Sequence, residues 1–312
     1  MQNRTNSLGH IPVMLGEVLG ILDPQDGDLI LDGTFGAGGY SAAILARNSS
    51  CRVVGIDRDE NVMEFVKWLK SVYDDRFTFH NIKFSKARDV VECDSLNGLV
   101  LDLGVSSMQL GDDGRGFSFE RDAKLLMTMG RNKISAYDVV NGFSQEQIAS
   151  IISNYGDELK SRTIARRIFE RRKIKLIETT VELADIIRSC FRSRGKIDNA
   201  TRTFQAIRIF VNDELEELEI ILRDSMELLK NGGRLVVVSF NSLEDRIVKR
   251  FFTENGNMRS RKTNKYGNSV DADDVPRVAF SVGVRKPLLP SREEVLDNVR
   301  SRSAKLRWGI RC

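Results

Sequence analysis

The stretch LILDGTFGAGGYS (residues 29–41) decides the fold of this chain. An apolar run stops at Asp32, a turn with four glycines follows, and a helical pattern rich in alanine comes next. A strand, a glycine turn and a helix in this order open the nucleotide-binding half of doubly wound α/β sheets. The glycines allow backbone N–H groups to approach a ligand with no side chain in between. The stretch therefore predicts a parallel α/β sheet with a cofactor site at its first turn.

A second motif, CRVVGIDRD (residues 51–59), places the carboxylate of Asp57 at the end of the next apolar run. In doubly wound sheets an acidic residue at this point accepts hydrogen bonds from ribose hydroxyls. Asp32, directly before the turn, would face the pyrophosphate of a nicotinamide cofactor, which is unfavourable. S-adenosylmethionine carries a cationic sulfonium and an amino group instead, so an acidic strand end favours it. The two carboxylates together favour S-adenosylmethionine over NAD.

The composition is that of a globular protein, with 312 residues, 41% of them hydrophobic and 29% charged. No apolar run approaches the ~20 residues that cross a bilayer. The first ten residues also lack the apolar core of a signal peptide. We therefore expect a cytoplasmic protein with no membrane partner. The four cysteines have no CxxC spacing, which argues against a zinc site and against a disulfide framework.

Two basic runs stand out against a net charge of only +4. The segment from Lys160 to Lys175 carries eight basic residues and one acidic residue, and the tail from Arg285 to Arg311 carries eight and three. Runs of this kind suit the phosphate backbone of a nucleic acid. A solvated helix face is an equally good explanation at this point.

The spacing of apolar runs predicts a sheet that is interrupted by a second domain. Runs at 29–31, 52–56, 98–103 and 233–240 indicate parallel strands. More than a hundred residues separate the third run from the fourth, far more than one crossover helix needs. Helical patterns dominate this interval, at 144–154, 159–172 and 181–191. We therefore predict a helical domain at 114–203, inserted into a discontinuous domain formed by 1–113 and 204–312.

After the insertion, the pattern predicts one long helix, a loop and a late strand. Apolar residues repeat at helical spacing over 204–229 and form a stripe typical of core packing. The polar segment 255–274 reads as a loop, and VAFSVGV (278–284) alternates as a strand does. A final strand with no helix after it is more typical of a methyltransferase sheet than of a dehydrogenase.

Five long motifs carry a resemblance to a known family: LVLDLGVSSMQL, GDDGRGFSF, ATRTFQAIRIFVNDELEELE, GGRLVVVSFNSLEDRIVKRFF and SRSAKLRW. The chain resembles the bacterial 16S ribosomal RNA cytidine N4-methyltransferases, from HIPVMLGEVL at His10 to the tail. The resemblance implies a Rossmann-like class I S-adenosylmethionine-dependent methyltransferase sheet with an inserted helical substrate-recognition domain. It also implies methyl transfer to the exocyclic amine of a cytidine in the decoding region of 16S ribosomal RNA, within the small ribosomal subunit.

Carried over position by position, the family's cofactor contacts fall on seven residues of this chain. The family usually has histidine where this chain has Tyr40. Without the resemblance, Asp102 could be a strand-end ligand residue or a helix cap, and Phe84 could cover an adenine ring or pack in the core. Asp102 is also the candidate catalytic residue, as an acceptor for the substrate amine. The seven positions are Gly38, Gly39, Tyr40, Asp57, Phe84, Asp102 and Gln109.

Substrate contacts are expected at Arg115 in GRGFSF, at Arg202 in ATRTF and at Asn241, which stands where the family has histidine. A guanidinium group binds phosphate in bidentate fashion, but an internal salt bridge would also explain either arginine. The chain further departs from the family's usual PLDMRMD and His-Pro motifs. These departures are Leu126, Thr128, Gly130, Asp198 and Asn199.

Two other functions remain open from the sequence. The altered motif KLLMTMG (124–130) would suit a catalytically weak ribosome-assembly factor that binds RNA. An NAD-dependent oxidoreductase shares the glycine turn but lacks a candidate histidine for hydride transfer. The sequence leaves the oligomeric state open, a dimer included.

Overall fold

A computed structural model describes residues 12–112, 114–193, 197–256 and 278–312. The chain forms two compact units, one from Met1–Gly104 with Leu215–Cys312 and the other from Val105–Glu214. The predicted insertion, 114–203, lies within the second unit, whose bounds are wider. At the C-terminal side the reason is packing, because Phe204, Ile207 and Val211 belong to the apolar core of the second unit.

The first unit contains a seven-stranded sheet in the order β3-β2-β1-β4-β5-β7-β6. Strands β1 to β5 run parallel, whereas β7 is antiparallel to both of its neighbours, β5 and β6. This doubly wound sheet, with an antiparallel strand between β5 and β6, confirms the predicted Rossmann-like α/β fold. The strands are β1 (Leu29–Asp32), β2 (Arg52–Ile56), β3 (Phe77–His80), β4 (Leu96–Asp102), β5 (Leu229–Ser239), β6 (Phe280–Val282) and β7 (Lys305–Arg311).

Two of the described strands, β3 and β7, were not predicted from the sequence. Strand β3 has four residues, of which only Phe77 is buried, so it offers little apolar pattern. In β7, basic residues alternate with apolar ones, and the segment reads as a basic tail. The late strand predicted over 278–284 shortens to Phe280–Val282. Most of the loop predicted over 255–274, from residue 257 onwards, lies outside the described residues.

The helices divide between the two units in blocks along the chain. The first unit contributes α1 (Leu15–Leu22), α2 (Gly39–Arg47) and α3 (Met63–Tyr73) before the insertion. The second unit contributes α4 (Ser107–Gly111), α5 (Ala136–Gly142), α6 (Gln145–Gly156), α7 (Ser161–Arg172), α8 (Thr180–Arg188) and α9 (Thr201–Asn212). The remaining helices are α10 (Glu214–Leu228), α11 (Ser242–Asn255) and α12 (Arg292–Asp297).

The prediction of one continuous helix over 204–229 is wrong, since two helices, α9 and α10, occupy this stretch. They are separated at Asp213, which adopts a left-handed conformation with φ of 53°. The Asp213 backbone N–H donates to the carbonyl groups of Ile209 and Phe210, which closes the last turn of α9. The break allows α9 to belong to the second unit while nearly all of α10 belongs to the first.

Each unit has its own apolar core. In the first unit, the stripe of α10, with Leu218 and Ile221, packs together with the sheet residues Leu99 and Val237, as expected of core packing. In the second unit, α5, α6 and α8 begin at capping boxes, in which a serine or threonine hydroxyl accepts from the backbone three residues on. Over the described part of the chain, no helix is long and apolar enough to cross a membrane.

Candidate cofactor and substrate site

The glycine turn after β1 is held between the ends of the neighbouring strands. The Gly33 N–H donates to the Val100 carbonyl of β4 at 3.0 Å. On the other side, the N–H of Gly36 donates to the carboxylate of Asp57 at 2.7 Å. Gly36 and Gly38 adopt φ values of 51° and 75°, in the region that only glycine enters readily. The turn therefore lies at the carboxyl ends of three parallel strands, where ligands bind in open α/β sheets.

The glycines of this turn are also required by packing within the protein. A Cβ atom at Gly38 would lie 2.8 Å from the Phe35 ring, and one at Gly39 would lie 2.3 Å from Cγ of Pro12. Both distances are too short for carbon atoms. The chain before α1 thus lies against the N-terminus of α2, where a side chain at Gly38 or Gly39 would collide with Phe35 or Pro12.

Asp57 follows the last residue of β2 and is half-buried. Besides Gly36, its carboxylate accepts from the N–H of Asp59 at 2.8 Å. Burial raises the pKa of Asp57 to about 6, against the lowering effect of these two hydrogen bonds. The structure places Asp57 at the edge of the glycine turn, the position expected of a ribose acceptor.

Asp32 is fully buried, and its surroundings differ from those expected from the sequence. Its carboxylate accepts from the Ser41 hydroxyl at 2.7 Å and from the N–H of Thr34 at 3.3 Å. Burial raises the pKa of Asp32 to about 6. Asp32 therefore joins β1 to α2, and its effect on a ligand is one of charge rather than contact.

Asp102, the last residue of β4, carries a buried oxygen, Oδ1, for which the described residues provide no hydrogen-bond partner. Its backbone N–H donates to the Thr34 hydroxyl at 2.6 Å, which places it beside the glycine turn. Burial raises the pKa of Asp102 to about 8, and the nearby carboxylates of Asp32 and Glu244 add to the effect. An unpaired buried oxygen is costly, so a group that donates a hydrogen bond or carries positive charge is favoured here.

Tyr40 is buried, and its hydroxyl donates to the carbonyl group of Val13. Burial raises the pKa of Tyr40 well above its usual value, and the charges of Asp102 and Asp32 raise it further. Met14, which follows Val13, donates its backbone N–H to the Glu294 carboxylate at 2.6 Å. The side chain of Tyr40 thus fixes the segment before α1 against α2 and leaves only its backbone for a ligand.

Phe84 and Gln109 belong to different units. Phe84 begins a short 3₁₀ segment, Phe84–Asp89, and its Cβ lies 3.5 Å from the ideal position of a Cβ on Gly33. It is half-buried and packs on the core of the first unit. Gln109 lies in α4, where its side-chain oxygen accepts from the Ser106 N–H at 3.0 Å in a capping box.

The three expected substrate residues are all engaged within their own units. Arg115 donates to the Thr128 carbonyl at 2.7 Å and lies over the ring of Phe117. Arg202 is exposed and makes a long hydrogen bond of 3.4 Å to the Asp157 carbonyl. Asn241 caps α11, since its side-chain oxygen accepts from two N–H groups of the first turn at 3.0 Å.

The departures from the family motifs have local structural roles. Leu126, Thr128 and Gly130 are half-buried and alternate with the buried residues Leu125, Met127 and Met129. Asp198, in place of the usual histidine, pairs with Arg188 at 2.9 Å. None of these departures belongs to the apolar core of the second unit, as far as the described residues show.

Sequence reasoning missed Asn212, a fully buried residue at the end of α9. Its amide accepts from the N–H of Met129 at 2.8 Å and donates to the Met127 carbonyl at 2.7 Å. It thus holds the segment in which the family motif is altered. A single asparagine in a helical pattern gave no signal, because only the fold shows that it is buried.

Comparisons with known proteins show to which family the chain belongs. The MraW methylase family matches residues 7–311. A protein of Rickettsia bellii named ribosomal RNA small subunit methyltransferase H is 49% identical over 299 residues, covering 96% of this chain and 97% of the relative. Proteins of the same name from Rickettsia prowazekii and a Wolbachia strain are 48% identical, again over 96% of this chain and 97% of each relative. The chain therefore belongs to the MraW methylase family, which confirms the resemblance carried by its motifs.

Proposed function

We propose that this protein methylates the N4 amine of a cytidine in the decoding region of 16S ribosomal RNA, within the small ribosomal subunit. Membership in the MraW methylase family supports the methyl transfer. The names of its relatives support ribosomal RNA of the small subunit as the substrate. The same membership overturns the alternative of an NAD-dependent oxidoreductase. Because the substrate is ribosomal, we place the activity in the cytoplasm.

The unpaired oxygen of Asp102 carries the proposal for an amine substrate. A cytosine amine is a weak nucleophile, since its lone pair is delocalised into the ring. A carboxylate that accepts one of its hydrogens orients the amine and stabilises the positive charge that develops on nitrogen. Asp102 has an accepting atom without a partner among the described residues, at a strand end where ligands bind.

S-adenosylmethionine, when bound, would supply the methyl group, and its sulfur would keep the electron pair of the broken S–CH₃ bond. The amine nitrogen forms the new N–CH₃ bond and loses one proton, for which Asp102 is the acceptor we propose. This role requires the ionised carboxylate. A cation bound beside Asp102 would favour that form and lower its pKa from about 8.

The residues of the glycine turn fit the cofactor that the family uses. The Gly38 N–H closes the turn on the Phe35 carbonyl, and the N–H groups of Gly39 and Tyr40 lie in the first turn of α2. We propose that they hold the cofactor together with Asp57 at the ribose and Phe84 beside the adenine. The Oδ1 atom of Asp102, which has no partner among the described residues, favours a cationic ligand. S-adenosylmethionine is such a ligand, because it carries positive charge and no phosphate.

We further propose that the second unit recognises the RNA. Arg202 is exposed and suits a phosphate contact. Arg115 is bound to the Thr128 carbonyl, so its role is to position the altered segment 124–130. Gln109 and Asn241 cap helices, and we propose that they shape the loops that face the substrate.

Transfer of labelled methyl groups into small ribosomal subunits tests the proposal. Subunits from a strain that lacks the gene are incubated with the protein and labelled S-adenosylmethionine, and the RNA is digested to nucleosides. We expect label in N4-methylated cytidine, with none in subunits from the parent strain. Label in another base would refute the proposed acceptor. Binding of subunits without any transfer would instead favour the assembly factor.

A further inference from the structure

One face of α7 carries a row of cations that the proposed chemistry does not use. Arg162, Arg166, Phe169 and Lys173 follow one another at spacings of four, three and four residues. Residues at these spacings lie on one side of a helix. The buried face of α7 contains Ile164, Ala165 and Ile168 and is centred about 120° around the helix axis from this row. We call the row Arg162, Arg166, Phe169 and Lys173 the α7 stripe.

The positive charge of the α7 stripe is hardly neutralised. Glu170 is the acidic residue of this helix, and it lies 3.9 Å from Arg166 and 3.6 Å from Arg167. All three side chains are more than half exposed, and exposed pairs of this kind contribute little. Across the described ranges, no ion pair involves Arg162 or Lys173.

Phe169 adds a flat apolar surface to the row. The Lys173 ammonium lies 4.5 Å from the centre of its ring, and the Arg172 guanidinium lies 4.8 Å from it. The Arg172 guanidinium is fixed in place, because it donates to the backbone carbonyl groups of Val140 and Phe143. A half-exposed ring beside cations is a combination that nucleic-acid-binding surfaces use for bases and phosphates.

We infer that the α7 stripe is a phosphate-binding surface for the RNA substrate. The twelve residues from Arg162 to Lys173 span about 16 Å of helix, a length over which one strand of a duplex presents roughly four to five phosphates. Two of the three cations are arginines, which bind phosphate oxygens in bidentate fashion. The inference rests on the proposed function only for the identity of the RNA.

The test compares a stripe variant with a matched control. The stripe variant is Arg162→Gln, Arg166→Gln and Lys173→Gln. The control removes three exposed cations of the first unit, Lys67→Gln, Lys70→Gln and Lys249→Gln, so both proteins lose the same charge. Binding to small ribosomal subunits is measured between 50 and 200 mM salt, with thermal unfolding as a check on folding.

For the stripe variant we expect the slope of log affinity against log salt to fall by about three. We also expect its affinity at 100 mM salt to fall by about tenfold to a hundredfold. Affinity for S-adenosylmethionine, measured by calorimetry, stays unchanged in both proteins. In the methyl-transfer assay, KM for the subunit rises and kcat at saturating subunit is retained.

Equal affinity and salt slope for the stripe variant and the control would overturn the inference. Loss of binding to anionic lipid vesicles, with subunit binding retained, would overturn it too and assign the stripe to a membrane surface. The binding measurement needs no turnover. The binding result can therefore be interpreted even if the proposed methyl transfer is not observed. A failure of the inference and a failure of the proposed function thus give different results.

Discussion

Replacement of Asp102 by asparagine is expected to make the ligand-free protein more stable and the enzyme less active. Asparagine keeps the shape of the side chain and removes its titratable charge. The folded protein holds the Asp102 carboxyl group in a place where ionisation is unfavourable, because the site is buried and the carboxylates of Asp32 and Glu244 lie near. The variant no longer carries that cost. A residue that destabilises the free protein and serves the reaction is typical of a functional site.

The magnitude follows from the raised pKa. In the unfolded chain the pKa of Asp102 is 3.8, and in the folded protein it is about 8. An acid whose pKa rises on folding has no effect on stability below pH 4 and destabilises the fold increasingly from pH 4 to pH 8. At about 1.4 kcal/mol per pKa unit, the full cost at pH 7 is about 4 kcal/mol. Because Asp102 is only half-buried, water screens part of its charge, and we expect a gain of about 2 kcal/mol.

Urea unfolding followed by tryptophan fluorescence measures the effect. Trp68 and Trp308 both belong to the unit that contains Asp102, so the signal reports on that unit. The stability of the variant should match that of the wild type at pH 4 and exceed it at pH 7. Methyl transfer at saturating substrates should fall by about a hundredfold or more. A variant less stable than the wild type at pH 8 would show that the carboxylate has a partner, and unchanged turnover would refute its contact with the amine.

Asp57→Asn should weaken S-adenosylmethionine binding by about tenfold in calorimetry, since a hydrogen bond to a charged acceptor is worth about 1.5–3 kcal/mol. The affinity of the wild type should also fall as the pH drops through the Asp57 pKa of about 6. An affinity that does not change between pH 5 and pH 8 would contradict this. Gly39→Ala should lower stability by about 1–3 kcal/mol, because its Cβ meets Pro12, whereas the control Gly16→Ala, with open space on α1, should raise it by about 0.5–1 kcal/mol. Asn212→Ala should cost about 3 kcal/mol in urea unfolding, because it leaves several buried backbone groups without partners; a loss below 1 kcal/mol would be inconsistent with that network.

Much of the first unit could be predicted from local pattern. The strands β1, β2 and β4 and the second half of β5 are largely apolar runs, because parallel strands are covered on both faces. The first half of β5, with Lys230 and Asn231, is exposed and was predicted as the end of a helix and a turn. Strand β7 could not be recognised, because its basic side chains reach partners far away in the chain. Arg307 pairs with Asp245 at 2.7 Å, and this pairing is invisible before the chain folds.

The candidate site shows the same division. Asp57 and Asp102 could be placed from the sequence, because Asp57 follows β2 and Asp102 ends β4, positions that the apolar runs indicate directly. The inward orientation of Asp32 could not be predicted, because Ser41 reaches the Asp32 carboxylate only when α2 packs against β1. The break at Asp213 was not predicted for a related reason. The residues on both sides of Asp213 favour a helix, and α9 and α10 are separated only because they pack in different cores.

The sequence by itself determined the α/β sheet, the glycine turn, the interruption of the sheet and the family, since these depend on local periodicity and on long ordered motifs. The tertiary structure alone decided which polar atoms have partners. It paired Asp32 with Ser41 and Tyr40 with Val13, and it gave Oδ1 of Asp102 no partner among the described residues. Burial and hydrogen bonding depend on contacts between distant segments, and these same contacts set the pKa of each carboxyl group. The charge state of the site is therefore a property of the fold.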